Sequence, residues 1–379
     1  MTAPRKYSSN EISIPRMFGR TVFAKKKSHL SCIIHLSHFH SENIFESCSL
    51  RETLASLAQP SVWPGLSRVA IVFKAGSRYE LSGKDRGITH LIRRCCGLST
   101  VDFTAVNMVR HFQQMGARVT CTTTREHMIY TVDVAPNFAT RAGYLLARMA
   151  TGTSYYEWEL KSTAYKLMRK DIDLLNRRNL PALAMELLHQ AAFGESSAGT
   201  GLGHSVFAPA DRVGSHSFEQ IESFHKHFFV PANCAISLVG HDPEADGLEL
   251  LREIKAGLHV RAPQKVPEKT GKVHGFVGVP LTKDAGCLVD SNPEIRRSVC
   301  KANICMSAES AEFLATDLAV RASGPENMYE GPQQQIAAVD RVTVTQVNDA
   351  IKHAVSSPHC ALSIVGPEAS EILPLNVLI

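Results

Sequence analysis

The chain has 379 residues, 44% of them hydrophobic, and a formal net charge of +5. This is the composition of a globular protein long enough for two domains with buried cores. The mild charge, without a basic stripe interleaved with aromatics, excludes an ordinary nucleic-acid-binding surface. No apolar run approaches a membrane span either, since the longest candidate, residues 30–36, is broken by Ser31, Cys32 and His35.

Much of the positive excess lies at the start, where Arg5, Lys6, Arg16, Arg20, Lys25, Lys26 and Lys27 face Glu11 alone. A Ser-rich, Arg/Lys-rich, acid-poor segment over residues 1–53 reads as a mitochondrial transit peptide or as a plain disordered tail. It also holds His29, Cys32, His35, His38 and His40. Without the second Cys pair of a zinc module, these read as an incidental cluster. Ten cysteines with no Cys-x-x-Cys pair point to free thiols in a reducing compartment.

From Arg68 the texture changes. The continuous run Val69-Ala-Ile-Val-Phe73 predicts a buried strand, and residues 74–87, punctuated by Gly76, Gly83 and Gly87, a loop. Residues 89–96 predict a short helix. Ala105, Met108, Phe112 and Met115 predict one face of a second, stopped by Gly116. Alternation at Val119, Cys121, Thr123 and again at Met128, Tyr130, Val132, Val134 predicts a hairpin turning near Arg125-Glu-His127. A further helix follows over residues 138–149. This order predicts an α+β layer, an antiparallel sheet flanked by helices.

The first short helix carries a telling sequence, Gly87-Ile-Thr-His90-Leu-Ile-Arg93-Arg94. The helical zinc motif His-x-x-Glu-His supplies two imidazoles for the metal and a Glu as general base. Only His90 is present here. Arg93 stands at the base position and Arg94 at the second ligand position, and an Arg neither accepts a proton at neutral pH nor offers a lone pair.

A repeat is also visible. Ser217-Phe-Glu-Gln220 opens a helix with a capping box, continues through Ile221, Phe224 and Phe228, and ends in Cys234-Ala-Ile-Ser-Leu-Val-Gly240. Thr343-Val-Thr-Gln346 opens a second such unit that ends in Cys360-Ala-Leu-Ser-Ile-Val-Gly366. In this register Gln220, Lys226, His227, Cys234, Ala235, Ser237, Val239 and Gly240 meet identical residues. Matching cap, helix and strand predict a duplicated domain. The expected units are residues 54–250 and a shortened copy over 262–379, opened by a Pro/Lys/Gly-rich linker at 262–272.

Other candidates read as structural. The Gly199-Thr-Gly-Leu-Gly203 loop lacks the strand and the Lys-Ser/Thr of a phosphate cradle. Lys166, Arg169, Lys170, Arg177 and Arg178 read as a solvated helix face. No Gly-x-Ser-x-Gly elbow orders a serine nucleophile, and Cys95 and Cys96 read as buried thiols despite the neighbouring arginines.

Lys74-Ala-Gly-Ser-Arg-Tyr-Glu80, Thr89-His-Leu-Ile-Arg93, Thr124-Arg-Glu-His-Met-Ile-Tyr-Thr-Val132 and the repeated unit resemble a known family. It comprises insulinase-type zinc peptidases, mitochondrial processing peptidase subunits and the core subunits of the cytochrome bc1 complex. The resemblance covers about residues 54–242 and 292–366. It implies two similar α+β domains and, in active members, a distal Glu as third zinc ligand. That ligand should fall between Glu159 and Glu186, where only Lys166, Lys170, Asp171 and Asp173 are on offer.

The resemblance therefore implies an inactive metallopeptidase homologue with no metal, no cofactor and no catalytic residues, its motif reduced to His90, Arg93 and Arg94. The implied role is a structural and assembly subunit of mitochondrial ubiquinol–cytochrome c reductase (complex III). It would lie on the matrix side of the inner membrane with core protein 1, cytochrome b and cytochrome c1 as partners. The alternative is the non-catalytic, substrate-recognising alpha subunit of mitochondrial processing peptidase.

Overall fold

The computed structural model describes residues 33–35, 56–57, 66–80, 83–194, 201–240, 247–259, 293–323, 332–355 and 363–365. The expected linker at 262–272 and most of the N-terminal segment lie outside them. So do four members of its cluster, His29, Cys32, His38 and His40.

A six-stranded sheet organises the molecule. Its strands are β1 (Ile33–His35), β2 (Ser56–Leu57), β3 (Ser67–Phe73), β4 (Arg118–Thr123), β5 (Met128–Val134) and β6 (Cys234–Val239). The order is β1-β6-β3-β5-β4, antiparallel throughout, and the two-residue β2 pairs parallel to the end of β6. The α+β architecture is thus the one expected.

Burial on both faces explains why residues 69–73 of β3 are apolar without a break. Val69, Ile71 and Phe73 point into the main core, whereas Ala70 and Val72 point to the opposite face, which is also covered. A strand buried on both sides loses its polar alternation.

The main core is closed by helices α1 (Ile88–Arg94), α2 (Ala105–Gln114) and α3 (Ala139–Thr151) on the sheet's first face. The short α4 (Glu157–Glu159) runs through a π-helical turn, Leu160–Ala164, into α5 (Tyr165–Arg178). An Asn179 cap then starts α6 (Leu180–Phe193). Helix α7 (Phe218–Phe228) buries Ile221, Phe224 and Phe228 and opens with the expected capping box. Helix α8 (Gly247–Gly257) packs on α3 so closely that a Cβ on Gly143 would stand 2.8 Å from Ile254.

The C-terminal part is helical where it is described: α9 (Pro293–Glu309), α10 (Ala311–Ala322), α11 (Pro332–Arg341) and α12 (Val344–Val355). Helix α10 covers the second face of the sheet. Leu314, Ala315, Leu318, Ala319 and Ala322 meet Ala70, Val72, Ile129, Ala235 and Val239. Ser237 Oγ donates to the Ala315 carbonyl across that contact at 2.6 Å. Residues 311–322, expected in the second unit, therefore lie against the first unit's sheet.

The two expected copies have the same helix cap. In α12, Gln346 N donates to Thr343 Oγ1 at 3.3 Å and Thr343 N to Gln346 Oε1 at 2.9 Å. The corresponding Ser217–Gln220 distances are the same. Beyond the cap the copies part. Of the expected second strand over 360–366, residues 363–365 are described and are not in a strand, and Ile364 is exposed. A strand persists through ladder bonds to a neighbour, and among the described residues none lies beside it.

Candidate functional site

Helix α1 is held at both ends. Gly87, its N-cap, sits at φ +87°, and a Cβ there would stand 2.4 Å from that of Ala208. Only glycine fits such a position. The buried Glu80 carboxyl caps the helix, accepting from Gly87 N at 2.9 Å, Thr89 N at 3.1 Å and Thr89 Oγ1 at 2.7 Å. Burial pushes its pKa up to about 7, against those hydrogen bonds and the nearby Arg86. At the other end Arg93 and Arg94 complement the helix dipole.

His90 lies in the middle of α1, fully buried. Its Nδ1 accepts from Ala208 N at 3.0 Å, so Nε2 carries the proton and donates to Asp171 Oδ2 at 2.9 Å. The Phe207 ring meets the imidazole edge-on at 5.5 Å. Burial, aided by the Arg93 charge, lowers the His90 pKa to about 4 despite Asp171, which keeps the ring neutral. Both ring nitrogens are committed, one by a backbone amide and one by its own proton.

Asp171 is the centre of the site. It faces inward from α5 between the buried Met168 and Leu175. Arg94 grips it with Nε and Nη2 on the two carboxylate oxygens, the paired geometry that makes such contacts strong. Arg93 Nη2 lies 3.5 Å from the same carboxylate, and its guanidinium is 5.2 Å over the Phe207 ring. Burial acts to raise the Asp171 pKa, but hydrogen bonds from Arg94 and His90 outweigh it and hold the carboxyl below its ordinary value.

The distal window offered four residues, and Asp171 is the one brought to His90. Asp173 pairs outward with Arg177 at 2.6 Å. Lys166, Arg169, Lys170, Arg177 and Arg178 are all exposed, the solvated face expected of them. Cys95 is buried, and burial raises its pKa, so it is no activated thiol. Sequence reasoning missed the Ala208 amide, which no side-chain pattern encodes. It could have singled out Asp171, which the Met168 and Leu175 spacing of three and four places on the buried face.

Beside the cluster a cleft of about 150 Å³ opens between α5, α6 and the 203–209 segment. Leu175, Leu183, Leu187, Glu186, His204 and Phe207 line it. Glu186 is engaged by Arg125 at 3.0 Å and by Val206 N at 3.2 Å.

A zinc site needs three or four N, O or S donors around one point. Around His90 stand two guanidinium groups and one carboxylate that they neutralise, and this donor set does not fit zinc. Among the described residues no group of three or more His, Cys, Asp or Glu is placed to hold a metal ion. Arg94 brings a fixed positive charge to the side of His90 and Asp171.

Residues 64–205 match the family model described as Insulinase (Peptidase family M16). Cytochrome b-c1 complex subunit 2 of Schizosaccharomyces pombe is 27% identical over 174 residues, 46% of this chain and 38% of that protein. A probable mitochondrial-processing peptidase subunit alpha from the same organism is 24% identical over 269 residues, 69% of this chain and 51% of its own length. In fold, a protease from Helicobacter pylori superposes with a TM-score of 0.50 at 17% identity, covering 57% of this chain and 50% of its own. The chain spans about two fifths of the length of the subunit 2 relative. Over its first sheet and helices, the chain is thus similar to the insulinase (M16) peptidases and, among them, to cytochrome b-c1 complex subunit 2.

Proposed function

We propose that the chain is a non-catalytic subunit of the mitochondrial ubiquinol–cytochrome c reductase. It serves assembly and stability on the matrix side of the inner membrane, beside core protein 1, cytochrome b and cytochrome c1. The observation that carries the absence of catalysis is the Asp171 cluster: the carboxylate that could have joined His90 is spent on Arg94. No general base stands at position 93, and a neutral His90 with both nitrogens committed offers no lone pair to a metal. Similarity to subunit 2 supports the assignment to this complex. Among the described residues no helix is long and apolar enough to cross a membrane, and in this reading the chain is held at the membrane by its partner chains.

A second reading is the non-catalytic alpha subunit of a processing peptidase. The longer stretch of similarity to such a subunit, 69% of the chain, favours it.

Tagging the native protein, solubilising mitochondria gently and identifying the associated chains separates the two. Cytochrome b, cytochrome c1 and core protein 1 are expected. A lone catalytic peptidase subunit would establish the second reading instead. Stoichiometric zinc together with hydrolysis abolished by His90→Ala would overturn both.

A further inference from the structure

Helices α4 and α5 form one continuous rod over residues 157–178, joined by the π-helical turn Leu160–Ala164. Its outer side is strongly basic. Lys161, Lys166, Arg169, Lys170, Arg177 and Arg178 are exposed, against the exposed carboxylates of Glu157 and Asp173. Those two are spent on cations four residues on, Glu157 on Lys161 at 2.5 Å and Asp173 on Arg177 at 2.6 Å. Among the described residues Lys166, Arg169, Lys170 and Arg178 have no acidic partner.

The helix lines these charges up with apolar anchors. Arg169, Lys170 and Arg177 follow Lys166 by three, four and eleven residues, so the four share one stripe about 100° wide. Arg178 and the exposed Leu167 and Leu174 border it on one side. The π-turn decides where Trp158 points. In an unbroken α-helix it would stand about 80° around from Lys166, and the extra residue that a π-turn absorbs brings it back to within about 20°. Trp158 is 66% exposed, and the exposed Tyr156 ring lies nearly parallel to it, 6.4 Å away between centroids.

An acidic protein would be met by the charges alone. Leucines and a Trp–Tyr pair set among long flexible cations fit a lipid surface better. The ammonium and guanidinium groups reach anionic headgroups while their stems and the leucines lie lower, at the acyl boundary. Indole and phenol rings favour the interfacial layer between the two.

We propose that the outer face of α4 and α5 docks on an anionic lipid bilayer, with Lys166, Arg169, Lys170 and Arg178 on the headgroups and Trp158 in the interfacial layer. The contact is peripheral and spans nothing. It adds to any attachment through partner chains and does not depend on which complex the chain joins.

The test is co-sedimentation of the purified full-length chain with vesicles of phosphatidylcholine, alone or mixed with phosphatidylglycerol. Binding to the anionic vesicles is expected at low salt, weakening as salt rises, with none to phosphatidylcholine alone. Lys166→Gln, Arg169→Gln, Lys170→Gln and Arg178→Gln together should weaken it at least about tenfold. Lys84→Gln, Arg110→Gln, Arg118→Gln and Arg141→Gln remove as much charge from exposed positions elsewhere and should leave most of the binding. The chain has two tryptophans, so in Trp63→Phe the indole of Trp158 reports alone, and its emission should shift to the blue on anionic vesicles. Absent binding, equal loss in the two charge variants, or an unshifted Trp158 emission overturns the proposal. So does binding to poly-glutamate without binding to vesicles, which would assign the face to an acidic polypeptide.

Discussion

Arg94 holds Asp171 by both oxygens, and Asp171 in turn receives the His90 proton. Asp171→Asn keeps an acceptor for His90 but leaves two neighbouring guanidinium groups without their counter-charge. Arg94 is about a third exposed, and solvent screens part of the loss. A destabilisation of about 1–2 kcal/mol is expected by urea denaturation. Glu80 gives a pH signature instead. Its folded-state pKa lies near 7, above the ordinary carboxyl value of 4.5. The native state therefore binds more protons than the unfolded state between those values, and stability falls as pH rises through that window. The contribution is full below about pH 4.5 and lost by about pH 7, on the order of 3 kcal/mol. Denaturation midpoints measured across the window should slope downward in the native protein and flatten in Glu80→Gln.

The elements show what a sequence can and cannot announce. Alternation in β4 and the periodic faces of α2, α3 and α7 reflect one side of an element meeting one core, and the continuous run in β3 reflects a strand covered on both faces. Helix α6 escapes such a reading because none of its residues is buried and its leucines are spread around it. The pairing of β1 and β2 with β6 was equally illegible, since strands that short carry no pattern. At the site, His90, Arg93 and Arg94 follow from local spacing. Their partner is 77 residues beyond Arg94, and only the packing of α5 on α1 selects it from the window. The docking of α10 is testable at this scale. Leu318 is buried against β3 and β6, so Leu318→Ala should cost about 2–4 kcal/mol. Leu180→Ala, on the exposed side of α6, should stay within about 0.5 kcal/mol. Equal, small effects in both would show that α10 does not belong to the cooperative unit.

In the whole molecule, one sheet with helices on both faces joins chain segments from residue 33 to residue 322. Helices α7 and α12 have matching caps but different surroundings: α7 buries its apolar face, whereas Val344 and Val347 on α12 are exposed. Among the described residues no strand pairs beside α12 as β6 follows α7. Around His90 the fold rests on burial and on the Asp171 cluster, and among the described residues no group is placed to hold a zinc ion. Thermal unfolding should consequently be unchanged, within experimental error, by a strong zinc chelator, whereas a zinc-dependent relative would lose stability by mass action.

The guanidinium of Arg94 gives that indifference a wider meaning. A protein that must collect zinc is finished only after translation, and its folded fraction follows whatever metal the compartment supplies. Here the positive charge arrives with the polypeptide in fixed stoichiometry and cannot be exchanged for another metal. It does not dissociate on dilution, and scarcity does not withhold it. At this one helix, then, the charge that holds Asp171 is supplied at synthesis and needs no later step of metal loading.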